Sequence, residues 1–179
     1  LDVCNFVLTN VCNSKCLLCN YWKLKTKKFL NVNVINDMIP YINKYKTRKI
    51  YITGGEPLLH PALYEIAKEL RENTKCKITL CTNGYLLSKY IDRIYQFFDA
   101  YIISFDAPRE DLYYLIRGRN WFNEILKVPK LIKKRNPDAY IAFTCVIQKS
   151  NYKYLEEILK LADSIGCDFM GFTLPTLVP

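Results

Sequence analysis

The alternation of two kinds of segment constrains the fold of this chain more than any other feature of its sequence. Short runs rich in β-branched and aromatic residues recur, and each run but the last is followed by a stretch with helical spacing of apolar residues. Strand–helix alternation implies parallel strands joined by right-handed crossovers. The sequence therefore predicts a layered or barrel α/β fold, whose ligands bind at the carboxyl ends of the strands. Its predicted strands are Asp2–Thr9, Lys49–Thr53, Lys77–Cys81, Ala100–Phe105, Tyr140–Ile147 and Phe169–Thr173.

The length of the chain favours a single domain. Its 179 residues are enough to bury a substantial core. The chain ends soon after the sixth predicted strand, so a sixth covering helix and any later extension are not part of it. We therefore expect one domain over residues 1–179 that is truncated at its carboxyl end.

Charge and composition limit the classes of partner and compartment. The formal net charge is +9, which attracts nucleic acid, acidic lipid or an anionic cofactor, but the lysines are scattered along the chain. We favour a solvated basic surface over nucleic-acid binding, because exposed aromatic residues are not clustered with arginine. There is no apolar run of about 18 residues and no secretory leader at the start. We expect a cytoplasmic protein without a membrane span.

The eight cysteines indicate a metal site rather than disulfides. They are unevenly spaced, and Cys81 and Cys145 sit in apolar strand runs, where a free thiol behaves as a small hydrophobe. A domain of this size also needs no disulfide staples. A reduced protein with one metal site fits this pattern better.

Cys12, Cys16 and Cys19 form the candidate metal site, directly after the first predicted strand. Structural zinc usually has a fourth protein ligand, and none is close in sequence, because the sole histidine, His60, and the other cysteines are remote. A cubane cluster held by three cysteines leaves one iron open for a substrate or cofactor. The spacing alone leaves zinc ligands and plain core thiols as alternatives, and we expect His60 to be a loop or cap residue.

Further polar residues and glycines follow the later strands. Gly54 and Gly55 let backbone approach a ligand closely, and Glu56 supplies a carboxylate for an ammonium group. Each of these features also has a structural interpretation. These are a tight turn for the glycines, a surface carboxylate near a helix start for Glu56, a generic turn for Asn83-Gly84, a surface arginine for Arg117 and a helix cap for Asn151.

The cysteine spacing, Cys-x3-Cys-x2-Cys, resembles the cluster signature of the radical S-adenosylmethionine (SAM) superfamily. The resemblance covers essentially the whole chain and lies nearest to the branches with peptide-maturing (SPASM-type) and molybdenum-cofactor members. It implies a partial (β/α)6 TIM-like barrel of parallel strands. The other motifs similar to those of the family follow in its order: Thr53-Gly54-Gly55-Glu56-Pro57, Cys81-Thr82-Asn83-Gly84, Ser104-Phe105-Asp106, and Arg117-Gly118 with Phe122.

The resemblance also implies which residues bind the cofactors. Cys12, Cys16 and Cys19 would hold a 4Fe–4S cluster, and no residue is assigned as catalytic. The residues expected to bind SAM are Gly54, Gly55 and Glu56 at its amino group, Ser104 and Asp106 at its ribose, Arg117 at its carboxylate and Asn151 near its nucleoside. The chain departs from the family at Leu18, which is often aromatic there, so we expect Tyr21 or Trp22 and the backbone near Val146 and Ile147 to contact the adenine.

The implied function is a radical SAM reaction. The reduced cluster splits SAM into methionine and a 5′-deoxyadenosyl radical, which abstracts hydrogen from a substrate that we expect to be a peptide or small molecule. A reducing partner such as flavodoxin or ferredoxin would supply the electron. Three alternatives stay open: an enzyme of this family acting on RNA or nucleotides, a non-catalytic zinc-binding module with a basic surface, and a barrel that binds SAM without turnover.

Overall fold

The computed structural model describes residues 2–175, which contain one six-stranded parallel sheet. The strands are hydrogen-bonded in chain order, with Val7 of the first opposite Thr53 of the second and Ser104 of the fourth opposite Thr144 of the fifth. All six predicted strands are confirmed, with boundaries that agree to within two residues. They are β1 (Val3–Val7), β2 (Lys49–Thr53), β3 (Lys77–Thr82), β4 (Ala100–Ser104), β5 (Tyr140–Val146) and β6 (Phe169–Thr173).

Helices form every crossover between neighbouring strands. A parallel sheet in sequential order with helical crossovers is the topology of a (β/α) barrel. No helix among residues 2–175 is long and apolar enough to cross a membrane. The prediction about a sixth covering helix falls beyond Pro175, outside the described residues. The helices are α1 (Val32–Lys44), α2 (Leu63–Asn73), α3 (Leu87–Ile94), α4 (Glu110–Arg117), α5 (Phe122–Ile125), α6 (Val128–Arg135) and α7 (Leu155–Ser164).

The ends of these helices follow from local sequence. The Asn31 side chain accepts a hydrogen bond from the Asn33 amide and caps the start of α1. Gly118 ends α4 with a φ of 66°, a left-handed conformation that costs glycine little. Asn151 precedes the last helix, but its side chain makes no cap bond there. Its predicted role as a helix cap is therefore wrong.

Alternate residues of each strand face two different environments. One set, which includes Ile52, Leu80 and Ile103, is fully buried in the core with the apolar stripes of the helices. The other set forms what we call the inner face of the sheet. Near the carboxyl ends of the strands this face carries partly exposed, uncharged side chains: Thr53, Cys81, Ile102, Ser104, Thr144 and Val146.

His60 lies in the loop after β2, which confirms its prediction as a loop residue. Its Nδ1 accepts a hydrogen bond from the Ala62 amide at 3.1 Å, so the neutral ring carries its proton on Nε2 and donates to the Leu30 carbonyl at 3.0 Å. Burial lowers the pKa of His60 from its ordinary 6.5, against a smaller opposing effect of the Leu30 carbonyl. The ring is thus held in its neutral form.

This lowered pKa predicts an acid-side loss of stability. The folded state binds the His60 proton more weakly than the unfolded chain, so the free energy of unfolding should fall as the pH drops below 6.5. We expect His60→Gln to remove this component between about pH 7.5 and about pH 5.5, since the chain has one histidine. Urea unfolding of both proteins across this range measures the difference. Parallel pH profiles would contradict the assignment.

Candidate functional site

The three cysteines lie on the loop that follows β1, and this loop is hydrogen-bonded to the carboxyl end of α4. The Lys15 amide donates to the Arg117 carbonyl at 3.1 Å, and the Leu17 amide donates to the Ile116 carbonyl at 2.9 Å. The Arg119 side chain adds a bond from Nε to the Asn13 carbonyl at 2.8 Å. A loop between residues 10 and 20 is thus fixed to a helix about one hundred positions further along the chain.

Gly54 and Gly55 bring the end of β2 against the beginning of the cysteine loop. The Gly55 amide donates to the Thr9 carbonyl at 2.6 Å, and the Glu56 amide donates to the Val11 carbonyl at 2.8 Å. A Cβ atom on Gly55 would lie 2.4 Å from the Val11 oxygen, where no side chain fits. The sequence predicts that a ligand approaches these glycines closely, but the backbone of Thr9 and Val11 fills the space beside them. The predicted contact of both glycines with SAM stays a prediction.

Glu56 is a fully buried carboxylate at the centre of these loops. Its Oε1 accepts from the Thr82 hydroxyl at 2.7 Å and the Leu58 amide at 3.1 Å, and its Oε2 accepts from the Asn83 amide at 2.8 Å. Burial raises the pKa of Glu56, and these three hydrogen bonds oppose the rise. A carboxylate offers about four acceptor positions, so about one remains for an ammonium donor.

Asn83 ties the third strand to the cysteine loop. Its Nδ2 donates to the Asn13 side-chain oxygen at 2.7 Å and lies 3.3 Å from the Ser14 hydroxyl. Its Oδ1 accepts from the Tyr85 amide, which is the turn expected from the Asn-Gly pair. Asn83 therefore has a second role that its turn motif does not reveal.

Arg117 and Asp106 form a buried ion pair. Arg117 Nη1 donates to Asp106 Oδ2 at 2.9 Å, and the two side chains are 11% and 3% exposed. Burial alone would lower the pKa of Arg117, but the Asp106 carboxylate and then the Cys16 thiol outweigh it and raise that pKa. Arg117 Nε is buried without a hydrogen-bond partner among the described residues. Its interpretation as a surface arginine is wrong, and its guanidinium keeps an unused buried donor.

Ser104 and Asp106 differ in exposure and in hydrogen bonding. Ser104 is the last residue of β4 and lies partly exposed on the inner face. Asp106 lies in the following loop, and its Oδ1 accepts from the Val146 amide at 2.8 Å. Ser104 is therefore partly open to a ligand, whereas Asp106 is buried and already hydrogen-bonded to Arg117 and Val146. Their contact with a ribose stays a prediction.

Asn151 is fully buried, and its side chain links the ends of β4 and β5 through hydrogen bonds. Its Oδ1 accepts from the Gln148 amide at 2.8 Å, while Nδ2 donates to the carbonyls of Val146 and Asp106 at 2.9 and 3.1 Å. These contacts use its polar atoms within the protein. A nucleoside contact by its side chain remains a prediction.

The cysteine thiols are free, and residues 2–175 bring no three histidine, cysteine or acidic side chains into a formed metal-ligating group. The residues nevertheless suit a cluster with an organic ligand. Three thiols share one loop, Arg117 Nε needs an acceptor, and Glu56 keeps an acceptor position. Sequence reasoning missed Asn13, Arg119 and two buried unpartnered atoms after β5, Gln148 Oε1 and Ser150 Oγ. A position after a strand end could have indicated Asn13, Gln148 and Ser150, whereas Arg119 follows α4 and has no such signal.

Comparison with known proteins identifies the family. The model of the radical SAM superfamily matches residues 6–162, which is most of the chain. The chain belongs to the radical SAM superfamily. Members of this family of enzymes use a 4Fe–4S cluster and SAM, so the thiol loop and the motifs at the strand ends have a shared explanation.

The radical SAM relatives include several GTP 3′,8-cyclases. A probable GTP 3′,8-cyclase of Methanococcus aeolicus is 36% identical over 119 residues, which are 63% of this chain and 40% of the relative. A GTP 3′,8-cyclase of Actinobacillus pleuropneumoniae is 35% identical over 126 residues, 67% of this chain and 37% of the relative. The chain thus spans well under half the length of these relatives.

Solved structures confirm the partial barrel. Streptococcus suis SuiB bound to S-adenosylmethionine superposes with a TM-score of 0.82 at 16% identity, covering 99% of this chain and 41% of SuiB. A radical SAM methyltransferase from Sphaerobacter thermophilus gives 0.74 at 17% identity, covering 99% of this chain and 57% of that protein. At this identity the likeness shows the fold: an α/β partial TIM-like barrel.

Proposed function

We propose that this chain is the cluster- and SAM-binding core of an enzyme that starts radical chemistry on a peptide or small molecule. The observation that carries the proposal is the interlocking of the strand-end loops around the cysteines. The amides of Gly55 and Glu56 donate to the carbonyls of Thr9 and Val11. Asn83 donates to the Asn13 side chain, and the Arg117 carbonyl accepts from the Lys15 amide. Loops that are distant in sequence are thereby organised around three free thiols.

In this proposal each group has a defined task. The thiols of Cys12, Cys16 and Cys19 hold the cluster, and Arg117 and Glu56 orient the carboxylate and ammonium groups of SAM. The other residues proposed to contact SAM are Gly54, Gly55, Ser104, Asp106 and Asn151. When bound, the cluster and SAM together supply a 5′-deoxyadenosyl radical that removes hydrogen from the substrate, while the protein provides orientation and exclusion of water.

The inner face supports a peptide or small neutral substrate. The strand residues near its carboxyl ends have hydroxyl and apolar side chains such as Thr53, Ile102 and Thr144. The charged residues just beyond them, Glu56, Asp106 and Arg117, are largely buried and hydrogen-bonded within the protein. A polyanion such as RNA would require cationic groups there. One of the fold neighbours, SuiB, is bound to its precursor peptide SuiA in another structure, which supports the peptide class.

A nucleotide is the second candidate substrate class. Its support is the name of the two relatives described above, which are GTP 3′,8-cyclases at 35–36% identity. The two classes make different predictions. GTP should increase SAM cleavage if a nucleotide is the substrate, and added peptides should do so otherwise.

Anaerobic reconstitution of the full-length protein tests the proposed function. We expect a brown protein that, with dithionite and SAM, releases 5′-deoxyadenosine measurable by liquid chromatography and mass spectrometry. The same assay with GTP or with a peptide library then separates the substrate classes. A colourless protein that holds one zinc and releases no 5′-deoxyadenosine would refute the proposal and favour the zinc-binding module. A brown protein without SAM cleavage would favour the inactive barrel.

A further inference from the structure

A basic surface follows the cysteine loop directly. We call it the basic flank and define it by five lysines: Lys15, Lys23, Lys25, Lys27 and Lys28. All five are exposed, and no aspartate or glutamate lies between the first and the last of them. The flank is thus one of three basic segments of the chain, with residues 44–49 and 127–135, and it is the one that overlaps the cysteine loop.

The lysines of the flank have no carboxylate partners. Nine ion pairs occur among residues 2–175, and none includes a flank lysine. Elsewhere, Lys77 contacts Asp99 and Lys133 contacts Asp168. The charge of the flank is therefore available to an external anionic partner.

Hydrogen bonds hold the end of the flank against the segment that directly follows β1. Lys28 donates through its amide to Asn10 Oδ1 at 2.8 Å, and its carbonyl accepts from the Thr9 hydroxyl at 2.7 Å. The Leu30 amide donates to the Leu8 carbonyl at 2.7 Å. The flank is thus fixed beside the cysteine loop.

Exposed apolar side chains are interspersed with these charges. Trp22 is 38% exposed, and its Nε1 donates to the Cys16 carbonyl at 3.1 Å, which ties the flank to a proposed cluster ligand. Protein–protein interfaces combine apolar and aromatic groups at the centre with a polar rim. The other exposed large apolar and aromatic side chains between Lys15 and Leu30 are Leu17, Leu18, Tyr21, Leu24 and Phe29.

We propose that the basic flank docks an acidic protein that carries a one-electron centre and reduces the cluster. This inference rests on the proposed function. One electron leaves the reduced flavin or iron–sulfur centre of the donor and enters the oxidised 4Fe–4S cluster, so that donor and cluster each change by one electron. Electron transfer requires the two centres to be close, and the flank adjoins the cysteines. RNA fits less well, because an RNA substrate must reach the carboxyl ends of the strands, where the inner face has hydroxyl and apolar side chains.

Charge reversal tests the docking surface with a matched control. The test variant changes three lysines of the flank to glutamate, and the control makes the same change at three exposed lysines on or next to α6 that have no ion pair in the described chain. Both are made in the reconstituted full-length protein. The test positions are Lys23, Lys25 and Lys27, and the control positions are Lys127, Lys130 and Lys134.

We expect the test variant to bind a purified acidic flavodoxin at least about tenfold more weakly than the control does. The Kd of the wild type should rise between about 50 mM and about 300 mM salt, because screening weakens such contacts. With flavodoxin as the reductant, the KM for the donor should rise in the test variant only. Dithionite needs no docking, so the dithionite-driven rate should be the same in all three proteins.

The possible outcomes separate the two proposals. Equal weakening by both variants, or by neither, overturns the docking surface. Loss of tRNA binding in the test variant with an unchanged Kd for flavodoxin also overturns it and assigns the flank to nucleic acid. Absence of 5′-deoxyadenosine with dithionite in the wild type refutes the proposed function instead, and the Kd measurements are independent of that result.

Discussion

Replacing Cys16 by alanine is expected to abolish both cluster binding and SAM cleavage. Two thiols would remain on the loop, and a cubane whose protein ligands are three cysteines is not retained by two of them. Cys16 is also the thiol that Arg117 influences most directly, since that guanidinium opposes the rise in the pKa of Cys16 caused by burial. Iron and sulfide content, visible absorbance and 5′-deoxyadenosine release after reconstitution measure the loss. We expect iron to fall to background and product formation to be undetectable.

Cys81→Ala is the matched control for this prediction. Burial raises the pKa of Cys81 to about 11, so its thiol stays protonated at neutral pH, and it lies within β3. We expect this variant to keep the iron content and activity of the wild type. Loss of metal in both variants would instead indicate that Cys81 is a fourth ligand, as the zinc alternative requires.

Gly55→Ala is expected to destabilise the protein strongly and to prevent cluster incorporation. The new methyl group would lie 2.4 Å from the Val11 oxygen and 2.7 Å from its carbonyl carbon, and backbone atoms cannot move aside cheaply. Overpacking together with two weakened hydrogen bonds should cost about 3 kcal/mol. Urea unfolding measures this loss, and iron content after reconstitution measures the effect on the loop.

Gly166→Ala is the control for adding one methyl group. Gly166 has a φ of 84°, but nothing lies within 4 Å of the added atom. Only backbone strain remains, which we expect to cost about 1 kcal/mol without a change in iron content. If Gly55→Ala were as mild as this control, the close contact between β2 and the cysteine loop would be refuted.

The strands and their order could be predicted from the sequence because each strand is a short apolar run between turn residues. Lys49–Thr53 and Phe169–Thr173 have the same boundaries in sequence and structure. The location of the cysteines, Glu56 and Ser104 at one edge of the sheet followed from this topology, since parallel strands present their carboxyl ends together.

The contacts within the site could not be predicted, because they join residues far apart in the chain. Nothing near Gly55 and Glu56 in sequence indicates that their amides donate to the carbonyls of Thr9 and Val11. The pairing of Arg117 with Asp106 likewise depends on how α4 packs. Asn151 matched a local capping pattern, yet tertiary contacts with the ends of β4 and β5 determine its role.

The hydrogen bonds from Lys15 and Leu17 to the last carbonyls of α4 have a thermodynamic consequence. A helix leaves its final carbonyls without partners inside the helix, and here the cysteine loop supplies two donors. Anything that orders the loop therefore also protects the end of α4 from fraying. A cluster that binds the native loop and not the unfolded chain raises the stability of both by mass action. Under the proposed function, assembly of the metal centre is coupled to folding in this way, and we expect amide hydrogen exchange in α4 to slow when iron is incorporated.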